Sequence, residues 1–560
     1  MSLLHPRETK KPLRPRAGGP ASAAVSTLRP CPVKKSSPCQ STCLAGTDVR
    51  GAVALLNQRT KLGLSDDEAC ERAWNLIVET NPFPATTGRI CPHRCEENCN
   101  RHQKDGGVAV GAIERFLGDW ALDRGLKLPG CPERPIHRER VAIIGAGPAG
   151  LSCAYQLARR GYASTIFEGM PQPGGMLRYG IPAYRLPARV LEGEIRRVLD
   201  VGVELSTRTT IGRDVSLDDL RKQYAAVFVA PGAAVSRDVD IPGASGAGVF
   251  RAVDFLRDVA RQEPPALGRH VVVVGGGNTA MDAARVCARL LSGKGVITLL
   301  RQENEVIDDD LREAMEEGVD VEFLTTLNSV VRNVMGGVDS AVVQRIELGE
   351  RDANGFPALT PVAGKSYELR ADSIILALGQ KPNVNRIFKG NEAQFEPDHK
   401  GKTRTLGVWR GGDAVTPSFA AVVIGQGRQV AISIDAELRS KALPEQEKLP
   451  ELKPDRIKLE CYEARSRLER RLAPVRERLA DVQSEIELGY DVSAVFAEAS
   501  RCLSCGNCFG CERCWMYCTP GCMTRLANVR PGQYYAIAPE KCDGCRKCAE
   551  ECPTGFLEMG

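Results

Sequence analysis

The residues best placed to do chemistry are cysteines near the C-terminal end. Cys508, Cys511, Cys514 and Cys518 follow CxxCxxCxxxC, and Cys542, Cys545, Cys548 and Cys552 repeat that spacing with Pro553 behind. Thiolates three residues apart around tight turns grip three corners of one [4Fe-4S] cubane, and in this pattern the fourth cysteine of each run crosses to the other run's cubane. The spacing therefore joins Cys508, Cys511 and Cys514 to Cys552, and Cys542, Cys545 and Cys548 to Cys518. Cys502, Cys505 and Cys508 also read CxxCxxC, but only the register that begins at Cys508 ends in xxxC; Cys522 is left over.

Five more cysteines come early, Cys39 and Cys43 in SPCQSTC and Cys91, Cys95 and Cys99 in GRICPHRCEENC. Recurrent cysteines around tight turns point to iron–sulfur ligation rather than packing. His93 and His102 keep structural zinc as an alternative, although five cysteines exceed one tetrahedral site. Cys70, Cys131, Cys153, Cys287 and Cys461 read as packing or surface thiols.

A second kind of chemistry lies in two glycine turns. VAIIGAGPAG, residues 141–150, puts Gly145, Gly147 and Gly150 at GxGxxG spacing behind an apolar strand. The first glycine permits the turn, the second admits a pyrophosphate and the third lets helix pack on strand. The next strand, Ala163 to Phe167, ends on Glu168, placed for a ribose hydroxyl. HVVVVGGGNTAMDAAR repeats the device with Gly275, Gly277 and Ala280, and Asn278 falls beside the expected pyrophosphate or simply forms the turn. Two such turns imply two nucleotides, and their order resembles that of chains in which the first turn binds FAD and the second NAD(P)H.

These residues need elements to hold them. Asp66 to Thr80 has Ala69, Ala73, Leu76 and Ile77 on one helical face, and a second helix is expected over Val110 to Arg124. Between Ala442 and Ala499, prolines 444, 450 and 454 precede Leu468, Leu472, Val475, Leu479, Val482 and Ile486 at alternating steps of four and three. That pattern predicts a docking helix with Pro474 at the start of its final segment. The chain has 560 residues, 22 of them cysteine, too many for packing alone, and clustered cysteines are at home in a reducing compartment, here read as the cytoplasm. No run approaches a membrane span, and the N-terminus lacks the apolar core of a signal peptide. Residues 1–35 hold eight Lys/Arg against Glu8 while the whole chain is only +5. The basic charge thus sits in a tail read as disordered, and the rest offers no nucleic-acid-binding surface.

The order of motifs from Cys39 through NPFPATTGRICPHRCEENC, VAVGAIERFLGDWA and the first glycine turn resembles the small subunit of bacterial glutamate synthase and the matching half of dihydropyrimidine dehydrogenase, over residues 36–440. The resemblance implies two [4Fe-4S] clusters in the N-terminal region. Cys43, Cys91 and Cys95 would hold one, with Glu114 at the position of an unusual fourth ligand; the plain alternative is a solvent-facing carboxylate beside Arg115. Cys39 and Cys99 match two ligands of the other cluster, but the CxxC expected before Cys39 is missing. EASRCLSCGNC resembles the missing segment, so Cys502 and Cys505 are expected to complete it.

The same resemblance lays QPGGMLRYGIPAYRLP along the flavin, with Gly174 and Gly175 approaching it; Arg185 reaches the flavin pyrophosphate or ring, or is a plain surface arginine. It also puts Gly412 and Asp413 at the ribityl chain and phosphate. Relatives that use NADPH commonly carry two adjacent arginines after the strand Val296 to Leu300. Here Arg301 is followed by Gln302 and Glu303, one guanidinium beside an acid, which favours NAD(H) over NADP(H).

The expected fold is α/β with two Rossmann-like domains. Its parts are a tail (1–35), a helical iron–sulfur domain (36–134), an FAD domain (135–250 and 373–441) split by an inserted NAD(P) domain (251–372), a helical linker (442–499) and a bacterial ferredoxin-like α+β module (500–560). A hydride site, a flavin and up to four one-electron clusters make an electron wire. The expected function is an electron-transfer subunit, coupling NAD(P)H through FAD to a catalytic partner such as a 2-oxoacid:acceptor oxidoreductase. A stand-alone NAD(P)H:ferredoxin oxidoreductase or a glutamate synthase small subunit is the runner-up, and a structural or assembly subunit, or a zinc-binding module, the alternative of another class. No nucleophile elbow or deaminase zinc pattern is present, and hydride transfer to flavin needs no catalytic side chain.

Overall fold

The computed structural model describes residues 26–304, 308–351, 357–443 and 448–560. The chain divides into two compact units, one built from Met1–Cys131, Ser440–Arg470 and Gly489–Gly560, the other from Pro132–Arg439 and Arg471–Leu488.

The second unit holds two five-stranded sheets, parallel throughout. In the first, the order is Val408–Arg410, Ala226–Val229, Arg140–Ile144, Ala163–Phe167, Glu204–Ser206. These strands are short apolar runs because helices cover both faces. The long helix Ala420–Leu438 crosses the fingerprint helix Pro148–Arg159 so closely that a Cβ on Gly427 would collide with the Ala149 carbonyl. The second sheet runs Val319–Glu322, Val296–Leu300, His270–Val274, Ser373–Leu376, Val249–Arg251. A three-stranded antiparallel sheet, Thr325–Arg332, Val338–Arg351 and Pro357–Arg370, packs beside it.

The sheets shift two expected boundaries. Val249–Arg251, placed at the end of the first FAD segment, and Ser373–Leu376, placed at the start of the second, both pair in the nicotinamide-side sheet, Ile374 lying between Val249 and Val272. The crossing between the two sheets is the antiparallel pair Gln380–Lys381 with Val235–Ser236. An apolar strand joins the sheet that offers it a parallel partner, and the motif that follows it in sequence does not decide which sheet that is.

In the first unit the helices Val49–Asn57, Asp66–Val78, Pro84–Ile90 and Val110–Asp123 form a bundle. Gly88 and Gly118 let Pro84–Ile90 and Val110–Asp123 approach until a Cβ on either would strike the other's backbone. Val492–Ala499 packs on this bundle. Its Glu498, fully buried, accepts from the Ala109 N–H at 2.8 Å and from Arg501 Nη1 at 2.5 Å. Arg501 in turn donates to the Asp105 carboxylate and to the Gly106 carbonyl. The C-terminal module has a hairpin, Met523–Arg530 with Gln533–Ile537, and a second ribbon in which Leu557–Met559 pairs with Pro30–Pro32.

Part of the expected tail is thus a structural strand: Cys31 lies opposite Glu558, because an otherwise open C-terminal strand needs a backbone partner. Residues 1–25 of the basic tail lie outside the described residues, as does Pro444. The connector helix is not found. Its residues form one turn, Val475–Arg478, with Pro474 at the N-cap, and an antiparallel bridge between Leu472 and Glu487. Leu479 and Ile486 instead pack on the core of the nicotinamide-side sheet, so the apolar stripe serves an irregular segment. Among the described residues no helix is long and apolar enough to cross a membrane.

Candidate functional site

The first glycine turn follows Arg140–Ile144. Gly145 has a positive φ of 102° and lies against the Ala230 carbonyl, where a Cβ would collide; Gly150 sits on the Gly145 carbonyl. Gly147 is different, since a Cβ there would come no closer than 4.0 Å to the Gly175 Cα. The helix Pro148–Arg159 has no side-chain cap, so its first N–H groups open onto this space. That cradle fits a pyrophosphate. The glycine pair expected along the flavin lies on it, Gly174 donating to the Ala146 carbonyl at 2.8 Å. Glu168, buried at the end of its strand, accepts from the Ala146 and Met170 N–H groups, each at 2.8 Å, and burial pushes its carboxyl up. Gly412, with a φ of 65°, abuts Ala149 and donates to Gln426 Oε1 at 3.0 Å; the Asp413 carboxyl beside it is pushed up by burial. The structure therefore brings Gly145, Gly147, Gly150, Glu168, Gly175, Gly412 and Asp413 to one place.

Arg185 departs from expectation. Its Nη1 donates to Asp282 at 2.9 and 3.1 Å, and its Nη2 stands 3.9 Å from Asp310, so its guanidinium is engaged by the nicotinamide-side helix rather than held free for a flavin. Taking both charges out of water carries a desolvation cost that their mutual attraction has to repay, and burial pushes the Asp282 carboxyl up despite Arg185. Around this pair lies a buried network missed at the sequence level. Tyr184 Oη donates to Asp282 at 3.2 Å, Arg289 stacks 3.9 Å over the Tyr184 ring, and Arg285 and Arg289 both bind Glu317. The only hint was NTAMDAAR, which sets Asp282 four residues beyond Asn278 on the same helical face.

At the second turn Gly275 has a φ of 142° and lies on the Ala377 carbonyl, while Ala280 is buried under it. Gly277 and Asn278 are exposed at the uncapped start of Asn278–Leu290, and a Cβ on Gly277 would meet nothing within 4 Å. This is a second open cradle. Arg301 is buried at the end of the neighbouring strand with its Nε 3.5 Å from Glu303 Oε2, and the Glu303 carboxylate covers Gly276.

The cysteines gather in four sets, all within the first unit. Cys39, Cys99, Cys502 and Cys505 line one small cavity with Asn100 and Arg50. Asn100 Nδ2 donates to Cys505 Sγ at 3.6 Å, and the Ser504 N–H to Cys502 Sγ at 3.4 Å. Cys91 and Cys95 each lie within electrostatic reach of Cys43, and all three within reach of Glu114. Glu114 is not solvent-facing as the plain alternative had it. Asn81 and Thr87 donate to its Oε1, each at 2.9 Å, and burial raises its carboxyl to about 7. The third set, Cys508, Cys511, Cys514 and Cys552, lines a cavity of its own, and so does the fourth, Cys518, Cys542, Cys545 and Cys548. The leftover Cys522 is buried next to that fourth set, its N–H donating to Cys518 Sγ at 3.2 Å.

Burial pushes the Cys502 and Cys511 thiols up to about 11 and those of Cys91, Cys508 and Cys548 to about 12. Without a cation those five are neutral near pH 7, and coordination is what ionises such thiols. Among the described residues no three Cys, His, Asp or Glu side chains converge on a single ion. A cubane needs no such convergence, because each thiolate takes a different iron and the sulfurs stand further apart than around one tetrahedral zinc. The donor sets thus fit [4Fe-4S] clusters.

Comparison with known proteins agrees with this division. The dihydropyrimidine dehydrogenase domain II 4Fe-4S cluster family matches residues 20–126, and the 4Fe-4S binding domain family matches residues 535–558. The chain is 35% identical to the NADP(+)-dependent formate dehydrogenase subunit beta of Moorella thermoacetica, over 87% of this chain and 73% of that protein. It is 32% identical to the NADPH-Fe(3+) oxidoreductase subunit beta of Geobacter sulfurreducens, over 84% of this chain and 75% of that protein. It is 34% identical to the glutamate synthase [NADPH] small chain of Azospirillum brasilense, over 68% of this chain and 84% of that protein. The pyridine nucleotide-disulphide oxidoreductase family spans residues 139–428, both glycine cradles and the strands that carry them, and the chain belongs to that family.

Proposed function

We propose that this protein is the electron-transfer subunit of a larger oxidoreductase, exchanging hydride between a nicotinamide nucleotide and FAD and passing single electrons through [4Fe-4S] clusters to or from a catalytic partner. The observation that carries this is the pair of open glycine cradles on two parallel sheets of one compact unit. Flavin supplies the step between two-electron hydride chemistry and one-electron chemistry. The protein's own residues bind and orient. Gly147 and Gly277 leave room for phosphate, Gly145, Gly150, Gly275 and Ala280 hold the turns, and Glu168 fixes the Ala146 amide. Gly175, Gly412 and Asp413 close over the first cradle, and Asn278 borders the second. Cys43, Cys91, Cys95 and Glu114 form one ligand set; Cys39, Cys99, Cys502 and Cys505 the next; the eight cysteines from Cys508 to Cys552 named above form the last two.

The partner is read as a catalytic subunit that oxidises or reduces a small substrate. The similar beta subunits are named for formate dehydrogenation and Fe(3+) reduction. A 2-oxoacid oxidoreductase fits the same wiring and is the finer proposal, placed in a reducing cytoplasm where thiolate ligands persist. For the nucleotide, the names of all three relatives specify NADP(H), against the expectation of NAD(H). What supports the NAD(H) reading is the single guanidinium of Arg301 with the Glu303 carboxylate 3.5 Å from its Nε, an acid that would disfavour an added 2′-phosphate there.

The test is anaerobic titration of flavin-loaded, iron-reconstituted protein with NADH and, separately, NADPH, following flavin absorbance and cluster EPR together. Bleaching of flavin with appearance of reduced clusters supports the proposal, and the more effective nucleotide settles the preference. Flavin that neither nucleotide bleaches would overturn it in favour of an assembly subunit.

A further inference from the structure

Four helices of a single turn carry cysteines in one repeated arrangement. Cys39 is the second residue of Pro38–Ser41, Cys95 of Arg94–Glu97, Cys514 of Arg513–Met516 and Cys548 of Lys547–Glu550. In every case another cysteine follows four residues later, just beyond the helix: Cys43, Cys99, Cys518 and Cys552. The helices pack in pairs, Pro38–Ser41 against Arg94–Glu97 and Arg513–Met516 against Lys547–Glu550.

Each helix divides its two cysteines between two ligand sets, and its paired helix does the reverse. Cys39 joins Cys99 while Cys43 joins Cys95, just as Cys514 joins Cys552 while Cys518 joins Cys548. The N-terminal region therefore repeats the crossed ligation of the C-terminal module. The repetition is hidden in the sequence because the CxxC of its second set, Cys502 and Cys505, comes from the far end of the chain.

The two crossed pairs meet at one place. Cys505 of the shared set and Cys508 of the next are separated only by Gly506 and Asn507. Gly506, in the left-handed region at a φ of 66°, donates to the Thr554 carbonyl two residues past Cys552. Leu503, Cys505 and Phe509 share one apolar core with Val33 and Tyr462, against which Cys511 packs.

We infer that the ligand sets form one unbranched relay. Its order is Cys43/Cys91/Cys95/Glu114, then Cys39/Cys99/Cys502/Cys505, then Cys508/Cys511/Cys514/Cys552, then Cys518/Cys542/Cys545/Cys548. The set drawn from both ends of the chain is the compulsory link between its halves. Passage along it moves one electron at a time; no bond forms or breaks and no proton is taken up. The inference rests on the reading that these sets hold clusters.

The test uses the reconstituted full chain carrying C502S and C505S together. Iron should fall by a quarter, from about sixteen to about twelve per chain. Dithionite should still reduce every remaining cluster, whereas the reducing nucleotide should reach clusters on one side of the gap only. In the dithionite-reduced EPR spectrum the Glu114 set should lose its magnetic splitting, while the two C-terminal sets keep theirs. Unchanged iron content would overturn the ligand assignment itself. Iron lower by a quarter with nucleotide still reducing both halves would overturn the order alone. If the double variant does not fold, pulsed dipolar EPR on part-reduced wild-type protein decides. The Glu114 set should couple most strongly to the shared set, and a stronger coupling to either C-terminal set would overturn the relay.

Discussion

At the scale of single residues, the two cradles differ in what a substitution can reach. A Cβ on Gly150 would strike backbone, but one on Gly277 enters open space at an ordinary extended φ of −85°. Gly277→Ala should therefore leave melting temperature and flavin content unchanged while raising KM for the nicotinamide nucleotide about tenfold, the effect of about 1.4 kcal/mol. Glu303→Gln should raise the ratio of kcat/KM for NADPH over NADH about tenfold, because it removes a carboxylate from beside Arg301, the guanidinium proposed to face the nucleotide's ribose; steady-state rates with both nucleotides check this. Lys61 bears on one ligand set only. Its Nζ donates to the Phe509 and Gly510 carbonyls at 2.9 and 3.2 Å, within the loop between Cys508 and Cys511. A fixed positive charge there favours the reduced state. Lys61→Met should lower the potential of that one set, with a tenfold change in the reduced-to-oxidised ratio corresponding to about 59 mV for one electron, and an EPR-monitored redox titration would show it. The glycine spacings, Glu168 and the C-terminal cysteine runs were legible residue by residue, since each motif is local. Arg185 was not, because its partner Asp282 is 97 residues away and nothing in either local sequence names the other.

At the scale of elements, the C-terminal segment is tied to the N-terminal bundle by a buried ion network, and this sets a pH dependence. Partial burial pushes the Asp105 carboxyl up, but hydrogen bonds and charge from Arg101, the Arg465 N–H and Arg501 outweigh it and hold it at about 2. The folded value lies below the unfolded one near 3.9, so this stabilisation is complete above pH 4 and is lost as pH falls toward 2. The difference is worth about 2 kcal/mol. Urea midpoints measured from pH 5 down to pH 2 should fall more steeply for the wild type than for Asp105→Asn, which lacks the titrating group. The helices Asp66–Val78 and Val110–Asp123 were readable because their apolar faces recur at helical period. The segment from Leu468 to Ile486 shows the limit of that signal. Apolar residues at steps of four and three also satisfy an irregular chain that drops single side chains into a neighbour's core, and Pro474 leaves only one turn after it.

At the scale of the whole molecule, the two compact units rest on different physics. Unit Pro132–Arg439 with Arg471–Leu488 has two covered parallel sheets with apolar cores; the other is rich in thiols whose burial is favourable as thiolate only around metal. Anaerobic removal of iron by a chelator should therefore expose residues 26–131 and 489–560 to limited proteolysis while the fragment spanning 132–439 stays intact and keeps its flavin; equal digestion of both would contradict this. The sequence by itself determined the chemistry, because fingerprint glycines and cysteine runs act through neighbours a few residues away, and their spacing alone restricts what they bind. Only the tertiary structure decided the pairings between distant segments. It laid Pro30–Pro32 along Leu557–Met559, gave Ser373–Leu376 to the nicotinamide-side sheet, paired Arg185 with Asp282 and turned Glu114 inward, whereas the meeting of Cys39 and Cys99 with Cys502 and Cys505 was already expected from the resemblance. Each of these depends on which surfaces meet once the chain is compact. A backbone edge, a thiol or a carboxylate carries no mark in the local sequence of the partner that burial will give it.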